Sequence, residues 1–312
     1  MARKAVIDVG TNSVKVLVAD VDDGAVVPVW ETSEQTRLGQ GFYESRRLQP
    51  GPIHASAQVV ARFSHEAASL GSTTPRVIAT SAARDAANAQ DLIEAIHAAS
   101  GLTTEVISGE TEAEWGFSGV TTDPSCLGRT LLVLDVGGGS TEFILGRRDA
   151  SGLHLAYRHS CPIGSVRLQE RFPPSDPPGS LQLARVRSWL EEFLERDIRP
   201  GLTAAFTEMG RPERVLGIGG TTAILAMMEE RQHGFDRNIV ERARFQATPL
   251  RHRVESLWSQ DLRTRQQIPG LPPERADVIL FGAAIYDTIL RVFDLPELGV
   301  STRGLRYAAL LD

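Results

Sequence analysis

The chain has 312 residues, which is enough for about two domains, each with a core of its own. Its net charge of −6 argues against a protein that holds nucleic acid or an anionic membrane through bulk charge. Two cysteines, Cys126 and Cys161, are too few for a disulfide framework, and Asp8 and Lys15 interrupt the apolar run near the N-terminus. This run is therefore neither a signal peptide nor a membrane span, and we expect a cytoplasmic protein.

The first predicted element is a short strand over residues 4–10 that carries Asp8 near its end. A polar turn follows it and leads into a second apolar run, residues 14–18. Because glycine has no Cβ, the backbone N–H groups of such a turn can converge on an anion. The turn consists of Gly10, Thr11, Asn12 and Ser13.

A predicted third strand, residues 26–31, precedes a glycine-rich loop at 37–41. The planar guanidinium of Arg37 suits phosphate oxygens, so this arginine is either a phosphate ligand or part of a solvated loop. Apolar residues at helical spacing then predict a helix over residues 52–70, which ends at Gly71.

A strand over residues 76–80 leads into a predicted helix over residues 81–100. Arg84 falls in the first turn of this helix, where the helix dipole disfavours a cation. Both a binding role for Arg84 and a surface salt bridge remain open at this point.

Three glutamates occupy the helix that begins near Glu110. Glu110 and Glu114 share one face at 100° per residue, whereas Glu112 borders the apolar stripe. Acidic residues in a first helical turn usually complement the helix dipole on a solvated face. Because Glu112 lies beside the apolar stripe, it could be partly desolvated and act as a general base.

The stretch Thr130–Gly146 repeats the first motif in a richer form. An apolar run ends in Asp135, and Glu142 opens the second run at the position that Lys15 holds in the first motif. Carboxylates beside phosphate-accepting amides predict a site for a phosphate and a divalent cation, and the alternative is an ordinary glycine hairpin. The repeat indicates two related halves. The turn residues are Gly137, Gly138, Gly139 and Ser140.

The second half contains a third glycine turn. An amphipathic helix is predicted over residues 180–198 and is expected to end at Pro200-Gly201. A strand at 214–216 then leads through residues 217–222 into another helix, where free amides and the positive end of the dipole favour an anion.

These motifs resemble those of the exopolyphosphatase and guanosine pentaphosphate phosphohydrolase (Ppx/GppA) family, which belongs to the actin-like ATPase superfamily. An ISG-x-x-EA segment ahead of D-x-GGGSTE separates this family from sugar kinases, actins and chaperones. The matching segments occur in the family's order and are IDVGTNSVKVL (7–17), RLGQG (37–41), IATSAARDAAN (78–88), VISGETEA (106–113), LDVGGGSTE (134–142), GIGGTT (217–222) and STRGLR (301–306).

The resemblance implies an α/β fold of two ribonuclease-H-like domains with an interdomain cleft. The first domain would comprise residues 1–122 with 300–312, and the second residues 123–299. The implied reaction is hydrolysis of terminal phosphoanhydride bonds of inorganic polyphosphate, or of a nucleotide polyphosphate such as pppGpp, with Mg²⁺ or Mn²⁺ as cofactor. We expect a homodimer without a nucleic-acid or membrane partner.

Roles for individual residues also follow from the resemblance. Glu112 falls on the catalytic base, Asp135 and Glu142 fall on the acidic catalytic residues, and these two with Asp8 are the implied metal ligands. The implied phosphate contacts are Gly10, Thr11, Asn12, Ser13, Arg37, Arg84, Gly137, Gly138, Gly139, Ser140, Gly219, Gly220 and Thr221.

One departure from the family pattern keeps other functions open. The family usually has arginine after its Glu-Ala pair, and this chain has Glu114. A nucleotide or (p)ppGpp sensor with little turnover is therefore an alternative, as is phosphoryl transfer from ATP to a small acceptor. The intact set of Glu112, Asp135 and Glu142 favours a hydrolase, since a sensor needs no base.

Overall fold

The computed structural model describes residues 2–232 and 234–312, which form two compact units. The first unit contains the described residues up to Asp123, the turn Gly138–Ser140 and the segment Arg303–Asp312; the second contains Pro124–Gly137 and Thr141–Thr302. The division expected from the sequence differs at three places, because Asp123 and residues 138–140 lie in the first unit and residues 300–302 lie in the second.

Each unit is built on one mixed β-sheet. The first sheet has five strands: β1 (Ala2–Val9), β2 (Ser13–Asp22), β3 (Ala25–Gln35), β4 (Arg76–Ala79) and β5 (Thr104–Val106). Their order is β3-β2-β1-β4-β5; the first three form an antiparallel meander, and β4 and β5 continue the sheet in parallel.

The second sheet repeats this topology and adds one edge strand. Its strands are β6 (Leu131–Val136), β7 (Thr141–Asp149), β8 (Gly152–Cys161), β9 (Arg214–Ile218), β10 (Arg244–Gln246) and β11 (Glu297–Val300). In the order β10-β11-β9-β6-β7-β8, strands β6–β8 form the meander, β9 and β11 are parallel to β6, and β10 is the added antiparallel edge. The sequence repeat is thus a repeat of sheet topology.

Helices cover the sheets in both units. The first unit has α1 (Phe42–Ser45), α2 (Pro50–Ser69), α3 (Ser81–Asp85), α4 (Ala89–Ser100) and α5 (Gly109–Val120). The second unit has α6 (Ser165–Arg171), α7 (Gly179–Phe193), α8 (Arg199–Met209), α9 (Gly220–Glu229), α10 (Arg237–Val240), α11 (Ala247–Ser259), α12 (Leu262–Arg265) and α13 (Ile279–Val292). The last helix, α14 (Leu305–Leu311), belongs to the first unit.

The central strands are apolar on both sides because both faces of each sheet are covered. In β1, Ile7 packs in the cluster that contains Phe63 of α2, whereas its neighbour Val6 packs in a separate cluster with Leu310 of α14. Successive side chains of a strand point to opposite faces, so one unbroken apolar run supplies both layers of the core. This is the two-domain α/β architecture that the resemblance implied.

The helix expected over residues 81–100 is two helices. Ala86 adopts an extended conformation (φ −82°, ψ 133°) after α3, and α4 begins after Asn88. The Asn88 side chain accepts a hydrogen bond from the Leu48 N–H at 2.8 Å and donates one to the Leu48 carbonyl at 3.1 Å. These tertiary bonds stabilise the break, and they place Arg84 in the last turn of a short helix instead of the first turn of a long one.

The helix expected to end at Pro200-Gly201 instead continues. After α7, a π-helical segment at Leu194–Ile198 leads into α8, which runs on to Met209. Pro200 lies in the first turn of α8, where proline is tolerated because the missing N–H has no intrahelical partner. The prediction treated proline as a terminator, and it is an initiator here.

In the part of the chain that the structure describes, no helix combines the length and the apolar character needed to cross a bilayer.

Candidate active site

The first glycine turn joins β1 to β2 and is closed by a bond from the Gly10 N–H to the Ser13 carbonyl at 3.0 Å. Asp8 and Lys15 lie directly opposite each other on these two strands. Lys15 Nζ is 3.2 Å from Asp8 Oδ2, so the carboxylate of this half forms an ion pair with a cation of its own sheet. Asp8 is therefore held as a partner of Lys15.

The loop that carries Arg37 packs against this turn. The N–H groups of Thr36 and Arg37 both donate to the Asn12 carbonyl, at 3.1 and 3.0 Å, and the Gly39 N–H donates to the Thr11 carbonyl at 2.7 Å. A Cβ on Gly39 would lie 2.4 Å from Thr11 Cγ2, which explains the glycine. The structure thus brings Arg37 to the predicted phosphate turn, with the Arg37 backbone at a φ of 52°.

Buried polar atoms at the same edge of the first sheet fit an anion. Thr11 Oγ1, Asn12 Nδ2 and Ser81 Oγ are buried, and the described residues offer them no hydrogen-bond partner. Strands β1 and β4 are parallel and pair as far as Val9 and Ala79, so the residues that follow them meet at one edge. An unsatisfied buried donor costs about 1–3 kcal/mol, and a phosphate oxygen would satisfy it.

Glu112 and Arg84 form an ion pair in the first unit. Arg84 Nη1 lies 2.8 Å from Glu112 Oε2 and 3.3 Å from the Ile107 carbonyl. Ser108 caps α5 by accepting the Thr111 N–H at 3.0 Å, which places Glu112 in the first helical turn. The Glu112 side chain is 12% exposed, so it combines limited solvation with one identified cationic partner.

The second glycine turn joins β6 to β7 and carries two carboxylates at the corresponding positions. Asp135 lies directly opposite Glu142, at the positions that Asp8 and Lys15 occupy in the first sheet. Glu142 is 1% exposed and accepts a hydrogen bond from Ser160 Oγ at 2.7 Å. Like charges directly opposite each other destabilise a sheet, so this pair is a natural place for a bound cation.

The third turn lies beside this carboxylate pair. Gly219 has a φ of +86°, and a Cβ at this position would lie 2.6 Å from Asp135 Oδ1. The Asp135 carboxylate therefore lies against the backbone of the third turn. Gly220 begins α9, and Thr221 Oγ1 donates to the Val136 carbonyl at 3.5 Å.

The predicted residues thus fall into groups within each unit. The first unit brings Asp8, the turn Gly10–Ser13 and Arg37 together, and it pairs Arg84 with Glu112. It also includes Gly138, Gly139 and Ser140. The second unit brings Asp135, Glu142 and Gly219 together, with Gly137 accepting a bond from the Ser165 N–H at 3.0 Å.

Within the described residues, no three side chains of histidine, cysteine, aspartate or glutamate form a group that could hold a metal ion. The opposed carboxylates of Asp135 and Glu142 are an arrangement that suits Mg²⁺, which usually takes one or two carboxylates, substrate phosphates and water.

Sequence reasoning missed three residues at these groups. Ser81 supplies a buried hydroxyl, Ser160 becomes a partner of Glu142 only through the β7–β8 register, and Tyr286 lies on the buried helix α13. A signal was available for Tyr286, because a tyrosine in a helix that is otherwise almost wholly apolar needs a partner for its hydroxyl.

Cys161, next to Ser160, is a buried thiol and not a nucleophile. Burial, together with the negative charge of Glu142, raises the pKa of the Cys161 thiol well above its ordinary value. The thiol donates to the Thr141 carbonyl at 3.1 Å and stays protonated.

Comparison with known protein families places most of the chain in one of them. The model of the Ppx/GppA phosphatase family matches residues 17–312. The chain belongs to the Ppx/GppA phosphatase family. Members of this family are phosphoanhydride hydrolases, which confirms the expected class of enzyme.

Individual Ppx/GppA relatives agree with this assignment. Exopolyphosphatase 2 of Mycobacterium tuberculosis is 31% identical over 301 residues, which cover 93% of this chain and 91% of that protein. Exopolyphosphatase 1 of Mycobacterium bovis is 27% identical over 310 residues, covering 99% and 87%. The crystal structure of the Aquifex aeolicus Ppx/GppA family member has a TM-score of 0.78 at 28% identity, covering 99% of this chain and 96% of that one. These comparisons support polyphosphate hydrolysis at the level of the family.

Proposed function

We propose that this protein is an exopolyphosphatase that releases orthophosphate from the end of inorganic polyphosphate. The observation that carries the proposal is the opposed pair of Asp135 and Glu142 at a glycine turn, where the equivalent turn has Asp8 neutralised by Lys15. Two carboxylates directly opposite each other at a glycine turn suit a cationic cofactor. The two named exopolyphosphatases among the relatives suggest the substrate.

The proposed cofactor is Mg²⁺, or Mn²⁺ in its place. Asp135 and Glu142 would hold it, because their charges oppose each other across one strand pair and Ser160 orients Glu142. When bound, such an ion neutralises charge on phosphate oxygens and so lowers the free-energy barrier to transfer of the phosphoryl group. Asp8 is omitted from the proposed metal ligands since Lys15 already neutralises it.

The chain's own donors would bind the phosphates. Thr11 Oγ1, Asn12 Nδ2 and Ser81 Oγ are buried donors in need of an acceptor, and Arg37 is held at the same turn. Gly219 begins the third turn at the N-terminus of α9, where amides and the helix dipole favour an anion. Donors that are fixed before the substrate arrives stabilise the transition state without further reorganisation.

Glu112 is the proposed general base. It would accept a proton from the attacking water while the water oxygen bonds to the terminal phosphorus and the bond from that phosphorus to the bridging oxygen breaks. The products are orthophosphate and a chain shorter by one phosphate. The ion pair with Arg84 orients the Glu112 carboxylate, and a substrate phosphate offers Arg84 a second anionic partner.

The test is phosphate release from polyphosphate with Mg²⁺ by the wild type and by Glu112→Gln. The amide keeps the size of the side chain and removes its basicity, so we expect the rate to fall by about 10²–10⁴-fold, the usual contribution of a general base. Glu110→Gln is the matched control, because Glu110 lies two residues earlier on α5 and is exposed. Its rate should stay within about twofold of the wild type.

Two results would contradict the proposal. No release by the wild type from polyphosphate of any length, or full activity of Glu112→Gln, would exclude this mechanism. Phosphate release from pppGpp and from ATP, measured in parallel, compares the other candidate substrates. Tight binding of ppGpp without hydrolysis would favour the alternative function of a (p)ppGpp sensor.

A further inference from the structure

Tyr286 is a fully buried residue on α13 whose hydroxyl lies between two strands. The side chain is 0% exposed. Its oxygen is 3.1 Å from the Leu134 carbonyl of β6 and 3.2 Å from the Ile218 carbonyl of β9, and it accepts the Val136 N–H at 3.3 Å. One hydroxyl thus contacts the backbone of both parallel strands at their carboxyl ends.

These strands end in the two turns that carry the second unit's proposed catalytic groups. The β6–β9 pairing ends with Asp135 opposite Ile218. Leu134 and Val136 are the two neighbours of Asp135, and Ile218 immediately precedes Gly219. The Tyr286 hydroxyl therefore holds the backbone on both sides of Asp135 and the residue before the third turn.

The surroundings of Tyr286 are shaped to admit it. A Cβ on Gly217 would lie 3.2 Å from both Cε1 and the hydroxyl oxygen of Tyr286. One helical turn away on the same face of α13, a Cβ on Gly282 would lie 2.7 Å from Thr221 Oγ1. This face of α13 accordingly packs against the third turn at two points, and both depend on glycine.

We propose that Tyr286 is a positioning residue, which sets the distance between the Asp135 carboxylate and the Gly219 turn. The inference rests on the proposed function, because it assigns Asp135 to the catalytic site. Asp135 Oδ1 already lies within contact of the Gly219 backbone, so a small separation of β6 from β9 would move the carboxylate relative to the phosphate-binding amides.

The hydroxyl is suited to this role over a wide pH range. Burial raises the pKa of Tyr286 well above its ordinary value, and the negative charge of Asp135 adds to the effect. The hydroxyl therefore keeps the proton that it donates to the strand carbonyls.

The test compares Tyr286→Phe with Thr288→Val, two variants that each remove one buried hydroxyl from α13. The Thr288 hydroxyl donates to the Ala284 carbonyl of its own helix at 2.8 Å and bonds to neither strand. For Tyr286→Phe we expect kcat to fall about 10- to 100-fold with KM changed less than about threefold, since misplacement of about 1 Å costs up to this much. Thr288→Val should keep the wild-type kcat.

Amide hydrogen exchange on the free proteins provides a readout that needs no activity. In Tyr286→Phe, exchange should accelerate in peptides that cover residues 134–136 and 217–222, and in Thr288→Val it should stay as in the wild type.

Unchanged exchange in Tyr286→Phe would overturn the bridging role, and an unchanged kcat in an active enzyme would overturn the positioning role. A wild type without phosphohydrolase activity would contradict the proposed function instead, and the exchange experiment would still decide whether Tyr286 couples the two turns.

Discussion

The difference between Lys15 and Glu142 shows how one side chain separates the two halves of a repeated fold. Each lies opposite an aspartate at the end of the same type of strand pair. In the first sheet the pair is an ion pair at 3.2 Å, and the carboxylate there is satisfied within the protein. In the second sheet two carboxylates oppose each other, and a bound cation would relieve the repulsion. The chemistry of the two turns therefore differs although their backbones correspond.

We predict that Glu142→Gln will weaken activation by Mg²⁺ and raise the free energy of unfolding of the metal-free protein. The amide can still accept the bond from Ser160 and no longer repels Asp135. The Mg²⁺ concentration for half-maximal phosphate release should rise about 10–100-fold. The free energy of unfolding without metal should rise by about 0.2–1 kcal/mol. Glu297→Gln changes a glutamate on β11 of the same sheet and should change neither quantity. If Glu142→Gln needs the same Mg²⁺ concentration as the wild type, Glu142 is not a metal ligand.

At the scale of the element, a glycine turn is defined by what its missing Cβ allows. Gly219 combines a left-handed φ of +86° with the Asp135 carboxylate 2.6 Å from an ideal Cβ. Gly210, at the end of α8, has a similar φ of +91° and nothing within 4 Å of its ideal Cβ. Comparing the two positions therefore separates the effect of backbone strain from the effect of a clash with the Asp135 carboxylate.

Gly219→Ala and Gly210→Ala are thus a matched pair. Both variants should lose about 1–3 kcal/mol of stability, because a positive φ with ψ near 180° is a backbone conformation that almost only glycine adopts. Only Gly219→Ala should also displace Asp135 and reduce phosphate release by about 10²-fold. Thermal unfolding and initial rates of phosphate release measure the two effects. Equal activities of the two variants would show that the contact between Gly219 and Asp135 is unimportant.

For the whole molecule, buried tyrosines predict how stability depends on alkaline pH. Burial raises the pKa of Tyr157 to about 12 and raises the pKa of Tyr286 still more clearly. A phenol whose folded-state pKa is raised stabilises the folded form fully below the unfolded-state pKa of about 10. This contribution is lost as the pH rises through the folded-state value, since the unfolded chain then binds fewer protons than the folded one.

We therefore expect the free energy of unfolding to fall above pH 10 and to fall less steeply in Tyr286→Phe. Removing one such group should reduce the slope by up to about 1.4 kcal/mol per pH unit. Denaturant unfolding between pH 9 and 11 measures the slope. Thr288→Val removes a buried hydroxyl that does not titrate in this range and should keep the wild-type slope. Identical slopes for wild type and Tyr286→Phe would contradict the expectation.

Local patterns were sufficient for the elements that depend on neighbouring residues. Apolar periodicity and glycine placement predicted the strand–turn–strand motifs, the helix over α2 and the repeat, because these features arise within a few residues of the chain. The same reasoning failed at Ala86 and Pro200. Hydrogen bonds between Asn88 and Leu48, which are far apart in sequence, stabilise the break between α3 and α4. A π-helical segment connects α7 directly to α8, and Pro200 lies in the first turn of α8.

The sequence by itself determined the repeat, the fold class and the identities of the acidic residues, since each is encoded in the order of residue types along the chain. Only the tertiary structure decided which groups are partners. Strand register placed Lys15 opposite Asp8 and Glu142 opposite Asp135, and packing brought Arg84 to Glu112 and the Tyr286 hydroxyl between β6 and β9. These pairings depend on contacts between residues distant in sequence, which no local pattern specifies.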